Sequence, residues 1–192
     1  IIAQHDGVRN VSFHRQFLRD PTTCVSRFVP RHLKTMVDSA HSQGSEVPIC
    51  VVNAPDPTVL LAAAMSFKEH IDELKVAAAL HRRIHGTTLK VVTLDNGIAV
   101  PADAEYAMEA RITSDKSDEG PYVDITGTLD DIRQEAVIVY DSIHHRDEPV
   151  FHALIPAERE HRTLMGLPRA PTIKKAVSEV VTCTDVHLTD GG

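Results

Sequence analysis

The sequence predicts an α+β domain built on a β-barrel or a curved sheet. Segments with strand-like alternation or β-branched runs occur along the whole chain, whereas helical periodicity is concentrated in the first half. No GxGxxG follows the first strand-like segment, and no GxxxxGK[ST] occurs anywhere. The sequence therefore indicates neither a Rossmann domain nor a P-loop domain.

The first half is expected to alternate strands with helices. Its clearest helix carries Leu33, Met36, Val37 and Ala40 at helical spacing and is followed by Gly44. In chain order, the expected elements are a strand over residues 7–18, a strand ending at Pro30, a helix over 32–41, a strand over 47–52, a helix over 59–65 capped by Thr58, and a helix over 71–85 that ends at Gly86.

The second half is expected to be rich in strands, because β-branched segments recur there between Gly, Asn and Asp residues. The expected strands cover residues 89–94, 104–112, 122–128 and 137–144. From Pro149 onward we expect a further strand, a polar turn region, a short helix over 172–177 and a last strand over 180–188.

Composition excludes several classes of protein. Hydrophobic residues make up 42% and charged residues 24% of the 192 residues, as in ordinary globular domains, and the net charge of -7 disfavours nucleic acid or an anionic membrane as the main partner. Cys24, Cys50 and Cys183 form no CxxC pair and predict neither a disulfide framework nor a zinc site. With neither a membrane-spanning stretch nor a signal peptide in the sequence, we expect a cytoplasmic protein with reduced thiols.

Asn10, His32 and Glu73 are candidate metal ligands. Their oxygen and imidazole donors suit Mn²⁺, Mg²⁺ or similar ions better than a thiolate set would. The spacing alone fits a second interpretation equally, because His32 and Glu73 each open an expected helix and a carboxylate there complements the helix dipole.

A second candidate group surrounds the turn that leads into the third expected strand of the second half. Glu119 and Asp124 flank a Gly-Pro turn that could bring two carboxylates to one side of a pocket. Two close carboxylates separate their pKa values, so that one can act as an acid while an arginine such as Arg15 holds the other ionised. The alternative is a solvated acidic turn.

The remaining histidines give weaker signals. His81 and His85 lie four residues apart on one expected helix, a spacing that can bind a metal. The sequence shows no third ligand for them, so they are expected to lie on the surface. No serine lies in a GxSxG motif, and the cysteines are expected to be structural.

Six segments are distributed across nearly the whole chain. They are residues 10–15 (NVSFHR), 30–33 (PRHL), 56–64 (DPTVLLAAA), 72–73 (DE), 100–109 (VPADAEYAME) and 119–122 (EGPY). Taken together, their order and spacing resemble those of one family, the UbiD-like decarboxylases.

The resemblance implies a split β-barrel related to flavin reductases with a few flanking helices. It implies a prenylated FMN whose phosphate is bridged to the protein by Mn²⁺ (or Mg²⁺), often with K⁺. The residues it assigns are Asn10, His32 and Glu73 as metal ligands, Ser12, Phe13, Arg15, Arg31 and Met65 as cofactor contacts, and Arg15, Glu119 and Asp124 as the catalytic network.

The implied activity is the reversible, non-oxidative decarboxylation of an aromatic, heteroaromatic or α,β-unsaturated carboxylic acid. A flavin prenyltransferase would supply the cofactor, and the family implies a homo-oligomer. The alternatives are a non-catalytic flavin-binding module or subunit of a split decarboxylase, and an unrelated β-rich domain that uses Asn10, His32 and Glu73 structurally.

The chain departs from the family pattern in a few places. Asp124 stands where the family commonly has Glu, and Ala110 stands where it has Gly. Family enzymes are more than twice as long, so the resemblance implies that residues 1–192 are the central cofactor-binding domain, without the N-terminal and C-terminal portions. Ile1 at the start and Gly192 at the end are consistent with a processed chain or a fragment.

Overall fold

The computed structural model of the protein describes residues 1–67, 71–123 and 127–189. Its strands are β1 (Ile2–His5), β2 (Val8–Val11), β3 (Phe17–Leu18), β4 (Thr23–Ser26), β5 (Val47–Asn53), β6 (Val91–Thr93), β7 (Ala99–Pro101), β8 (Tyr106–Glu119), β9 (Tyr122–Val123), β10 (Leu129–Asp130) and β11 (Arg133–His145). Its α-helices are α1 (His32–Ser42), α2 (Pro57–Ala64), α3 (Glu73–His85), α4 (Arg159–Gly166) and α5 (Ala170–Ser178).

A large antiparallel sheet forms the body of the described structure, and with its helices it confirms the predicted α+β class. The strand order is β2-β1-β5-β8-β11-β4-β3, and each neighbouring pair is antiparallel. Two small two-stranded sheets, β6-β7 and β9-β10, accompany it. The long strands β8 and β11 pair along nearly their whole lengths, and two irregularities in their register mark bulges.

The large sheet is curved, because a short segment connects its two edges. The edge strands β2 and β3 are consecutive in the chain and are joined only by residues 12–16. Seven flat strands would set these edges roughly 29 Å apart, whereas the six residue steps from Val11 to Phe17 reach at most about 22 Å. The sheet therefore bends its edges toward each other. No hydrogen-bonded closure between β2 and β3 is present among the described residues.

Alternating side chains of the sheet build two hydrophobic cores. Ile49 packs with the buried face of α1, whereas its neighbour Cys50 points to the opposite core beneath α2 and α3. Ile2 and Ala3 alternate in the same way on β1. This period of two is the one expected for a sheet covered on both faces.

The helix boundaries correct one predicted cap. Asp56, not Thr58, caps α2, because its carboxylate accepts a hydrogen bond from the backbone N–H of Thr58. Asp72 caps α3 in the same way through the N–H of Leu74. As predicted, α3 ends at Gly86, which has a φ of 72° that favours glycine.

Several expected strands differ from the structure, and the strand expected from Pro149 onward does not form because that segment has no neighbouring strand among the described residues. The strand expected over 7–18 ends at Val11, because the following residues leave the sheet edge to cross toward β3. The strand expected over 104–112 continues to Glu119. Residues 180–188 form no strand, and Val180 is 85% exposed there, so β propensity without a neighbouring strand did not produce one. No helix in the described ranges combines the length and the apolar character needed to cross a membrane.

Candidate active site

Residues 12–16, which we call the crossing segment, bring several of the predicted site residues together. The segment carries Ser12, Phe13 and Arg15 between the two sheet edges. The hydroxyl of Ser26 on β4 donates a hydrogen bond to the backbone oxygen of Arg15 at 2.8 Å. This bond fixes the segment against the sheet close to the end of β8.

Arg15 and Glu119 form a bidentate ion pair, as the sequence predicted. Nε of Arg15 donates to Oε1 of Glu119 at 2.6 Å, and Nη2 donates to Oε2 at 3.0 Å. The Glu119 side chain is fully buried at the end of β8, and the Arg15 side chain is 26% exposed. The hydrogen bonds to Glu119 raise the pKa of Arg15 above its usual range. The pair keeps a negative carboxylate in a dry environment next to an accessible guanidinium.

Asp130 is a third member of this cluster that sequence reasoning missed. Its Oδ2 accepts from Nη2 of Arg15 at 2.8 Å and from Nη1 of Arg27 at 3.1 Å, and its Oδ1 accepts from Nη2 of Arg133 at 2.9 Å. The hydrogen bonds from Arg133 and Arg15 hold the pKa of Asp130 well below its usual range. No local motif marks Asp130, because 115 residues separate it from Arg15.

Tyr122 covers one side of the cluster. Cζ of Arg15 lies 4.7 Å from the centre of its ring, a cation–π contact, and Phe17 packs edge-on against the same ring. Burial, followed by the charge of Glu119, raises the pKa of Tyr122 to about 12. Tyr122 is therefore neutral at physiological pH.

The second predicted carboxylate, Asp124, lies outside the described residues. The residues before Asp124 are described. Gly120, with a φ of 99°, turns the chain between β8 and β9. A residue with a Cβ would be strained in that conformation. The convergence of Asp124 with Glu119 therefore stays a prediction.

Asn10 and Glu73, two of the predicted metal ligands, are in direct contact and buried. Nδ2 of Asn10 donates to Oε1 of Glu73 at 3.2 Å, and the backbone N–H of Val11 donates to Oε2 at 2.9 Å. Burial raises the pKa of Glu73, although the hydrogen bond from Val11 and the charge of His32 oppose this. His32, the third predicted ligand, is the first residue of α1. Its charge acts on the Glu73 carboxylate and opposes the rise in the pKa of Glu73.

Ser12 and His14 extend this group along the crossing segment. The Ser12 hydroxyl donates to Oδ1 of Asn10 at 2.9 Å and lies 2.8 Å from Nε2 of His14. Nδ1 of His14 lies 3.3 Å from the carbonyl oxygen of Arg27. Burial lowers the pKa of His14 to about 4. His14 is therefore neutral near pH 7. Its position in the sequence did not reveal that it is buried or that it contacts Ser12.

The donors around Glu73 fit a hard divalent cation. A cation would offset the cost of burying the Glu73 charge, and amide oxygen, imidazole and carboxylate are ligands that Mn²⁺ and Mg²⁺ accept. Asn10 currently presents its amide nitrogen to Glu73, so ligation by both requires a half-turn of the amide. The Ser12 hydroxyl can then accept where it now donates.

The remaining predicted cofactor contacts are more dispersed. Phe13 is half-buried on the crossing segment, and Arg31 is exposed at the N-terminus of α1, where its charge acts on His14. Met65 is half-buried at the end of α2. These three side chains have positions around the crossing segment and the adjoining helices, but no direct contact between them is described.

Comparison of the sequence with models of protein families finds a match over most of the chain. Residues 1–159 match the family model of the UbiD 3-octaprenyl-4-hydroxybenzoate carboxy-lyase Rift-related domain. The chain belongs to the UbiD family. The match includes Arg15, Glu119 and the three predicted metal ligands.

One curated relative within the UbiD family is similar over the whole of this chain. The chain is 38% identical over 193 residues to anhydromevalonate phosphate decarboxylase of Methanocaldococcus jannaschii, and the match covers 100% of this chain and 45% of that protein. The chain therefore spans a little under half the length of this relative.

Two solved structures share the fold at a TM-score of 0.93 and 33% identity. Both are of the UbiD-class enzyme HmfF from Pelotomaculum thermopropionicum, one in complex with FMN and one, an evolved dimeric form, with prFMN. The matches cover 99% of this chain and 43% and 45% of those chains.

Two described cavities are lined by residues other than Arg15, Glu119 and the three predicted metal ligands. One, of about 320 Å³, lies between α4 and the segment around His187. A second, of about 220 Å³, lies beside Arg9 and Asp72. We place the candidate active site at the crossing segment, because the buried ion pair and the cation-suited donors are there.

Proposed function

We propose that this chain is the central cofactor-binding domain of a UbiD-type decarboxylase that uses prenylated FMN. The observation that carries the proposal is the buried Glu119 held by the bidentate, partly exposed Arg15. Family membership and the 33% identity to HmfF, whose structures contain FMN and prFMN, support it. The finer expectation of a split β-barrel is supported by the short crossing segment that joins the two sheet edges.

In this proposal Arg15 and Glu119 prepare the substrate site. Among the described residues, Arg15 engages its carboxylate partners through Nε and Nη2, which leaves Nη1 to orient a substrate carboxylate. Glu119 keeps the guanidinium in place. Asp124 is the proposed proton donor to the carbon that loses CO₂. The prenylated flavin, when bound, supplies the electron sink for the developing carbanion.

Asn10, His32 and Glu73 are the proposed ligands of a Mn²⁺ or Mg²⁺ ion that compensates the charge of the flavin phosphate, with K⁺ as a second ion. Their support is the direct contact of Asn10 with Glu73 and the charge of His32 acting on that carboxylate. Ser12, Phe13, Arg31 and Met65 are the proposed flavin contacts. Arg31 is the cation suited to the phosphate.

We propose an unsaturated carboxylic acid that carries a phosphate as the substrate class. The support is the 38% identity, over the whole chain, to a relative named for anhydromevalonate phosphate. Such a substrate is among the α,β-unsaturated acids expected from the sequence. This proposal disfavours the aromatic and heteroaromatic acids also expected there.

The test uses protein produced together with a flavin prenyltransferase. We expect bound prenylated flavin in its absorption spectrum, about one equivalent of Mn²⁺ by elemental analysis, and CO₂ release from anhydromevalonate phosphate. Glu119→Gln should retain flavin but lower CO₂ release by at least ~100-fold, because it removes the carboxylate that holds Arg15. Asp118→Asn, at the exposed preceding position of β8, is the matched control and should remain active.

Different failures lead to different conclusions. Folded protein without flavin or Mn²⁺ contradicts the cofactor site. Bound flavin without CO₂ release from phosphorylated or aromatic acids supports the non-catalytic module instead. Equal activity of Glu119→Gln and the wild type removes Glu119 from the proposed mechanism.

A further inference from the structure

A second group of metal-type ligands lies between α2 and α3, apart from the crossing segment. Asp56 caps the N-terminus of α2, and His81 and His85 lie one turn apart near the end of α3. Sequence reasoning identified the two histidines but found no third ligand. The fold supplies it, because the packing of α2 against α3 brings Asp56 beside them.

The three ligand atoms are arranged around one point. Oδ2 of Asp56 lies 3.2 Å from Nδ1 of His81 and 3.7 Å from Nε2 of His85, and one ligand atom from each residue lies within 4.8 Å of the others. Ligands of a tetrahedral zinc ion at ordinary bond lengths are roughly 3.3 Å apart. The two separations from Asp56 are therefore close to those that an ion requires.

Neighbouring residues already orient two of these ligands. Oδ1 of Asp56 accepts hydrogen bonds from the backbone N–H and the hydroxyl of Thr58, which directs Oδ2 toward the histidines. Nε2 of His81 lies 3.1 Å from Oγ1 of Thr87. Such outer contacts fix the ring and tautomer of metal-binding histidines.

His81 provides a second, independent observation. Its Nδ1 is buried and lies 3.2 Å from the Asp56 carboxylate, but the two groups lack the geometry of a hydrogen bond. If Nε2 donates its proton to Thr87, Nδ1 directs a lone pair at a negative oxygen. That arrangement is repulsive unless a cation lies between the two atoms.

We propose that Asp56, His81 and His85 bind a transition-metal ion of the Zn²⁺ type. Two imidazoles and one carboxylate suit Zn²⁺ or Co²⁺ and leave a fourth position for water, toward the exposed side of His85. The ion links the start of α2 to the end of α3. It is separate from the cation proposed at Asn10, and it does not depend on flavin binding.

The first experiment is a titration of metal-free protein, produced without a histidine tag or flavin, with Zn²⁺ by calorimetry and with Co²⁺ by visible absorption. We expect one tight equivalent and the intense bands of tetrahedral Co²⁺. His81→Gln and His85→Gln should each weaken binding by more than tenfold, and Thr87→Val by about tenfold, because it removes the contact that orients His81. Asp56 is left unchanged because it caps α2.

Two variants serve as controls. His145→Gln removes an exposed histidine on β11, and Glu73→Gln removes a proposed ligand of the flavin-linked cation; both should bind Zn²⁺ like the wild type. Circular dichroism checks that every variant is folded. The proposal is overturned if the wild type shows no tight equivalent, if His81→Gln and His85→Gln retain it, or if Glu73→Gln loses it.

Discussion

At the scale of single residues, the Arg15–Glu119 pair concentrates buried charge at one position. Glu119 is fully buried, and its guanidinium partner comes from a segment without regular structure. Removing one partner of a buried pair leaves the other charge without compensation, which typically costs about 3–5 kcal/mol.

We therefore expect Arg15→Met to lower the free energy of unfolding by about 3–5 kcal/mol. Arg15→Met combined with Glu119→Gln should be less destabilised than Arg15→Met alone, because no unpaired charge remains. Urea denaturation of both variants and the wild type measures this. A double variant that is less stable than Arg15→Met would show that the cost does not come from the unpaired carboxylate.

His14 should make stability depend on pH. Its pKa falls from 6.5 to about 4 on folding, so the folded protein favours the neutral imidazole. The resulting stabilisation is present above pH 6.5 and is lost as the pH falls toward about 4. It amounts to about 3 kcal/mol at most.

Urea denaturation between pH 7 and pH 4 should show this loss in the wild type and a smaller loss in His14→Gln. His145→Gln, which changes an exposed histidine, should follow the wild type. Parallel curves for the wild type and His14→Gln would contradict the assignment of the acid-sensitive stability to His14.

At the scale of elements, the start of α3 holds both a cap and an ion pair. Asp72 accepts from the N–H of Leu74 at 3.1 Å and pairs with Nη1 of Arg9 at 3.1 Å, one residue before Glu73. We expect Asp72→Ala to lower the free energy of unfolding by about 1–2 kcal/mol, because it removes both interactions. Asp72→Asn is the matched control, since it keeps a capping oxygen and loses only the charge.

Thermal and urea denaturation of the two variants distinguish these contributions. Asp72→Asn should lose less than about 1 kcal/mol, because partly exposed ion pairs contribute little. Equal losses in the two variants would assign the whole effect to the charge and none to the cap.

At the scale of the whole molecule, curvature of the sheet creates the candidate site. Arg15 reaches Glu119 at the end of β8 because the crossing segment connects opposite edges of the sheet. The pairing of β4 with β11 brings Arg27 close to Asp130, although 103 residues separate them.

The sequence by itself determined the elements whose signals are local. The face of α1, the stop of α3 at Gly86, the α+β class and the contact of Arg15 with Glu119 follow from periodicity, turn chemistry and ordered motifs. Asn10 and Glu73, expected as ligands of one metal ion, are in direct contact, and their role as ligands stays a prediction. Such signals act over a few residues, or through a recognisable family pattern, and do not require the fold to be known.

Only the tertiary structure decided which distant groups meet. Asp130 joined Arg15, and Asp56 joined His81 and His85, through packing between elements that no local pattern specifies. The strand expected over 180–188 did not form, because a strand needs a hydrogen-bonded neighbour as well as β-branched residues. Local propensity is a property of the sequence segment, whereas long-range contacts depend on how the curved sheet and its helices pack.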